Sequence, residues 1–132
     1  MAYNDRHSWN KASQDFDSDV AEDSFLVAFS QKVQIHKIGV LCTVTQTGTT
    51  AVDFEIANKT GLDQRAIGTV NVPASSPGKL AYKTISPPAV VAPGEWITYD
   101  STNSGTGPSG SVLIEYSFFE EALGDGDEVA TL

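Results

Sequence analysis

The residues able to do chemistry are few and scattered. There are two histidines, His7 and His36, and one cysteine, Cys42. Neither histidine has a second His, Cys or carboxylate nearby at ligand spacing, and a zinc or copper site needs at least three such ligands. Cys42 ends the apolar run Gly39-Val40-Leu41-Cys42, with no polarising neighbour to make it a nucleophile. A small buried hydrophobe is the simpler expectation. Asp15-Phe16-Asp17-Ser18-Asp19 resembles the first half of a calcium loop. Val20 then stands where glycine is required and Leu26 where glutamate is required, so the match fails. Asp125-Gly126-Asp127-Glu128 could hold a hard cation loosely, but an acidic tail explains it more simply. No Gly-x-Ser-x-Gly elbow occurs, and no glycine-rich phosphate loop opens a helix. Asp53, Glu55, Asp63, Glu95, Asp100 and Glu115 read as strand exteriors or turns rather than a catalytic pair. The expectation is a chain with no catalytic residues, no cofactor and no metal.

Aromatic residues offer recognition instead. Tyr3, Trp9 and Phe16 are spaced along a polar N-terminal stretch. Disordered segments are usually poor in such rings, whereas each ring can bury ~150–250 Å² in a partner. A disordered terminus and a docking arm are both consistent with this stretch; as an arm, it would bind a partner through Tyr3, Trp9 and Phe16. Trp96, Tyr99 and Tyr82 could form a sugar-stacking platform. Packing of Trp96 in the core is the simpler expectation, unless Ile97 and Tyr99 face inward and leave Trp96 outside.

The elements that position these residues are strands. The chain has 132 residues and a net charge of −9, enough length for one domain with a real core. The spans 1–23 and 120–132 hold 11 of the 17 acids and 2 of the 8 bases, and the span between them is formally neutral. Such a balance argues against nucleic acid, which needs clustered Lys and Arg. One cysteine excludes an internal disulfide framework. No segment approaches the ~18 apolar residues that a membrane helix needs, and no secretory signal is read at Met1. Folding in a cytosol is expected, with Asn58-Lys59-Thr60 as a chance sequon.

Between residues 24 and 119 the pattern reads as about eight short strands separated by turns. Ser24–Ser30 is the first. Val33 to Thr45 is long, with Val33 and Ile35 on one parity and Ile38, Val40, Cys42 and Val44 on the other. This shift predicts a bulge near His36-Lys37, as in a strand that crosses between sheets. Val52, Phe54 and Ile56 alternate with Ala51, Asp53 and Glu55, giving one wet face. Arg65–Val72 and Lys79–Ile85 follow, with Pro87-Pro88 as a break before a short strand at Ala89–Val91. Pro93-Gly94 predicts a type II turn. Glu95–Asp100 and Ser111–Phe119 complete the set, the last with Val112, Ile114, Tyr116 and Phe118 on one face. The fold class expected is all-β: an antiparallel β-sandwich of jelly-roll type. Residues 1–23 are expected as an extended N-terminal arm, 24–119 as the sandwich and 120–132 as an acidic C-terminal tail.

From Val33 to Tyr116 the layout resembles the small jelly-roll cement, or head-decoration, proteins of tailed bacteriophages. The resemblance rests on Thr43-Val44-Thr45 leading into a Gly-Thr-Thr turn and Ala51–Ile56, then Arg65–Pro73 and Pro77–Tyr82. Ala92-Pro93-Gly94-Glu95, a Gly/Ser/Thr-rich loop and a final strand ending Ile114-Glu115-Tyr116 complete it. It covers about two thirds of the chain and contains no diagnostic motif. It implies a homotrimer on the virion, at the outer capsid surface, that bridges subunits of the phage major capsid protein through its terminal segments. Nucleic acid, membrane and small-molecule substrates are not expected as partners. The competing reading is a carbohydrate- or receptor-binding jelly-roll module of a phage tail or surface protein.

Overall fold

The computed structural model describes residues 9–17, 24–42, 49–58, 64–72, 78, 80–103 and 109–119. Eight strands are present: β1 (Asn10–Asp17), β2 (Ser24–Ala28), β3 (Val33–Cys42), β4 (Thr50–Ala57), β5 (Arg65–Val72), β6 (Leu80–Val91), β7 (Trp96–Asn103) and β8 (Ser109–Phe118). They form two four-stranded sheets with orders β1-β8-β3-β6 and β2-β7-β4-β5, and every pairing is antiparallel. First and last strands pair. Apart from β4 and β5, which are neighbours in one sheet, successive strands alternate between sheets in the jelly-roll manner. The expected sandwich is therefore observed, now with its strand order.

Alternation supplies the core. Val52, Phe54 and Ile56 of β4 are buried, as are Val112 and Ile114 of β8 and Ile97 and Tyr99 of β7. Burial of each such side chain stabilises the fold by roughly 1.5–3 kcal/mol. Cys42 joins this core, and burial pushes its thiol above the ordinary range.

The phase change in β3 is a bulge. Ile35 opposes Tyr116 and Lys37 opposes Glu115, leaving His36 without a counterpart on β8. The extra residue returns Ile38, Val40 and Cys42 to the interior already occupied by Val33 and Ile35. The strand thus stays in one sheet, contrary to the crossing that the parity change suggested. The bulge turns the side chains back inward and does not re-route the chain.

Two elements differ from the sequence expectation. Residues 10–17, expected within an arm over 1–23, run as β1 along the free edge of β8, from Asn10 opposite Tyr116 to Asp17 opposite Ser109. Among the β1 side chains described, Ala12 alone packs against the core as a half-buried apolar group, and the polar residues around it give little hydrophobic signal. The open edge of β8 templates it through the backbone. The two segments expected on either side of Pro87-Pro88 are one strand, β6. Val91, Val90 and Ala89 pair with Val33, Gln34 and Ile35, and pairing resumes with Thr84 opposite Lys37. The ladder lapses at 85–88, where the prolines lack N–H groups, but both halves hold the same partner. The expected count of eight survives because one strand was gained and two were merged.

The predicted type II turn is present. Gly94 has φ +89°, the left-handed region that glycine tolerates. The Glu95 N–H donates to the Ala92 carbonyl at 3.1 Å, and the Gly94 N–H donates to the Phe29 carbonyl at 3.1 Å.

Candidate functional site

The bulge aims His36 at the outer face of the β1-β8-β3-β6 sheet. There its ring stacks on Trp9 with centroids 4.2 Å apart and planes 3° from parallel. Its Nε2 and the Ser117 hydroxyl share a hydrogen bond of 2.7 Å, and Ser117 is buried beneath this cover. Desolvation holds the His36 imidazole below its ordinary pKa, an effect partly offset by the Glu115 charge. The Lys37 ammonium stands 5.0 Å from the Tyr82 ring centroid and 5.7 Å from that of Trp9, within cation–π range of both. Trp9 remains 42% exposed and Tyr82 58%. The result is an aromatic and cationic cluster at the point where the chain enters β1.

The three N-terminal aromatics fare differently. Tyr3 lies outside the described residues. Phe16 takes its place in β1 opposite Gly110. Trp9, expected on an arm that reaches outward, is clasped to its own sheet by His36. Nothing in the local sequence links Trp9 to a residue so distant along the chain; the strand pairing of β1 with β8, and of β8 with β3, brings them together.

The expected sugar platform is not assembled. Ile97 and Tyr99 face the core, so Trp96 lies half-buried on the outside of the β2-β7-β4-β5 sheet. This corrects the expectation of a core Trp96. The parity was ambiguous because residues on both sides of β7 are apolar enough to bury. Burial holds the Tyr99 phenol above its usual pKa, and the Asp15 charge adds to that shift. Tyr82 lies on the other sheet, so the three rings share no surface.

Other polar contacts tie strands and turns to one another. Arg65 donates to both Glu95 carboxylate oxygens, at 2.9 and 3.1 Å, and to the Val90 carbonyl at 3.0 Å. The Ala92 N–H donates to Glu95 Oε1 at 2.9 Å. Hydrogen bonding from Arg65 holds the Glu95 carboxyl below its ordinary pKa, against a smaller opposing effect of burial. Thr69 donates to Asp53, and Ser111 donates to Asp15 at 2.7 Å. Among the described residues no group of three His, Cys, Asp or Glu side chains could hold a metal ion. What the outer face offers is contact: Leu80, Tyr82, Val90 and Trp9 stand exposed on it.

No protein-family description matches the chain, and no curated protein matches it. Among solved structures, it is similar to a chain from Bacillus endospore appendages, which form a family of disulfide-linked pili. The identity is 18% and the TM-score 0.44, over 84% of this chain and 88% of that one. It is also similar to Eiger TNF from S. frugiperda, at 8% identity and a TM-score of 0.46, over 95% of this chain and 99% of that one. Likeness at this level carries no argument about function, and the jelly-roll assignment rests on the order of the strands themselves.

Proposed function

We propose that this chain is a structural virion protein that binds the outer surface of a phage capsid and stabilises it by bridging major capsid subunits. The observation that carries the reading is uncovered apolar surface on a well-filled sandwich. Trp9, Phe25, Leu80, Tyr82, Val90 and Phe118 stay exposed, while the aliphatic interior is closed. Leu80, Tyr82 and Val90 share the outer face of the β1-β8-β3-β6 sheet with Trp9, and exposed apolar groups gathered on one face mark protein contacts. The resemblance in layout to cement proteins supplies the class of partner. Many copies on one shell multiply modest contacts through avidity, so no single interface need be tight.

Trp9 marks the boundary between anchored strand and the segment ahead of it. Residues 1–8, which include Tyr3, would supply the contact with the shell together with the acidic tail at 120–132. That division sets the test. Removal of residues 1–20 would also delete β1, so the informative variant lacks residues 2–8 only. Capsids assembled without the protein are mixed with the intact chain and sedimented. The expected result is co-sedimentation of the intact chain, a higher temperature of shell rupture, and at least tenfold weaker attachment of the shortened variant. An intact, folded chain that stays in the supernatant at all concentrations would overturn the proposal.

A further inference from the structure

The registers arrange the outer face of the β1-β8-β3-β6 sheet in rows. One row runs Lys11, Glu115, Lys37, and the next runs Leu113, Gly39, Tyr82. Gly39 keeps the centre low. Leu80 and Leu113 already lie 3.3 and 3.4 Å from where a Cβ there would stand, so they close over it as a level apolar floor. Lys37 directs its ammonium to the Tyr82 and Trp9 rings, although Glu115 is its neighbour across the ladder.

We infer that this face is a contact between two copies of the chain, related by a twofold axis lying in the face, parallel to the strands and between β8 and β3. Such an axis lays β8 over the second copy's β3 and returns each row onto itself. Glu115 of each copy then meets Lys37 of the other, twice over, and each Leu113 rests on the level apolar floor around the other's Gly39. An isologous contact requires this self-complementarity. Aligned sheets pack face to face at about 10 Å with strands within about 30°, so the geometry is an ordinary one. Four strands ~4.8 Å apart and about eight residues long at ~3.3 Å each give roughly 500 Å² per copy. The total, about 1,000 Å², sits at the lower bound of a specific interface, and the association should depend on concentration.

The opposite face does not offer the same pairing. On the β2-β7-β4-β5 sheet Asp53 opposes Asp100 across the ladder, and Glu55 follows on the same parity as Asp53. Two such faces would bring carboxylates together.

The test is sedimentation equilibrium of the full chain over a wide concentration range, with circular dichroism melts as the control for folding. A dimer is expected. Lys37→Glu alone sets carboxylate against carboxylate at both contacts with Glu115, and Glu115→Lys alone sets ammonium against ammonium; each should weaken association at least tenfold. An equimolar mixture of the two variants restores an opposite-charge pair at both contacts, Glu115 with Lys37 at one and the two substituted residues at the other, so it should form a mixed dimer at least tenfold tighter than either variant with itself. Leu113→Lys should give a monomer. Three results would overturn the inference: a monomer at every concentration, a mixture no tighter than its components, or a trimer indifferent to these changes. The trimer would leave the capsid reading standing. A dimer that behaves as described but never attaches to capsids would sink that reading alone.

Discussion

A methyl group at position 110 has nowhere to go: a Cβ there would collide with the Leu41 carbonyl and press on the Cys42 backbone. Both are ladder atoms of β3, which cannot step aside without breaking its pairing with β8. Gly110→Ala should cost about 3 kcal/mol or more, beyond the usual range for overpacking by one methyl, measurable as a drop in the urea midpoint. His36 supports a second prediction. Its imidazole is harder to protonate in the folded protein than in the unfolded chain, whose ordinary value is 6.5. The stability it contributes is therefore present above that value and lost as pH falls through the lower folded value. Trp9 fluorescence, read in a Trp96→Phe background, should change with a midpoint below 6.5, and His36→Gln should abolish the transition. The position of His36 at a bulge was legible in the sequence, because hydrophobic parity changes across it. Its stacking on Trp9 was not, since that contact is made only after two ladders have formed. The direction of Trp96 was equally closed to pattern reading, with Thr98 on its parity buried as well.

Among the elements, β4 and β8 announce themselves through alternation, and β1 does not. Asn10, Ser13, Gln14 and Asp15 carry no hydrophobic signal, and the strand exists because β8 presents an open edge to it. Deleting residues 2–17 should therefore destabilise the protein by at least about 3 kcal/mol, at roughly 1 kcal/mol net for each ladder hydrogen bond lost. Chemical denaturation would read this directly, and equal stability of the shortened chain would show that β1 is ornamental. The turn between β6 and β7 depends on Arg65, which ties Glu95 and the Val90 carbonyl to the start of β5. The guanidinium is 49% exposed against 16% for the carboxylate, so screening limits the pair to about 1 kcal/mol or less. Glu95 is held below its ordinary pKa of 4.5. Its contribution is present above that value and disappears as pH falls through the lower folded one. Arg65→Met should accordingly lose stability at pH 7, and the loss should shrink as pH falls below 4.5 toward the lower folded value. Pro93-Gly94 was readable because proline and glycine each demand one place in a type II turn. The union of two segments into β6 was not, because a pair of prolines interrupts hydrogen bonding without ending a strand's course beside its partner.

At the scale of the whole molecule, the sandwich closes over its interior cooperatively, and Cys42 reports on that closure. The residue is 1% exposed and burial raises its pKa, so thiolate is scarce and out of reach. A thiol reagent should label the native protein only at the rate of global opening, and labelling should accelerate in step with denaturant-induced unfolding. Rapid labelling without denaturant would mean that the end of β3 opens independently. The sheet ends have a consequence of another kind. A row of unpaired N–H groups along a terminal strand invites a stray chain to zip onto it. At the β6 margin Pro87 and Pro88 have no such groups to give, and the row is broken in the middle. Copies crowded side by side can thus come into contact at that rim without stitching themselves into fibrils.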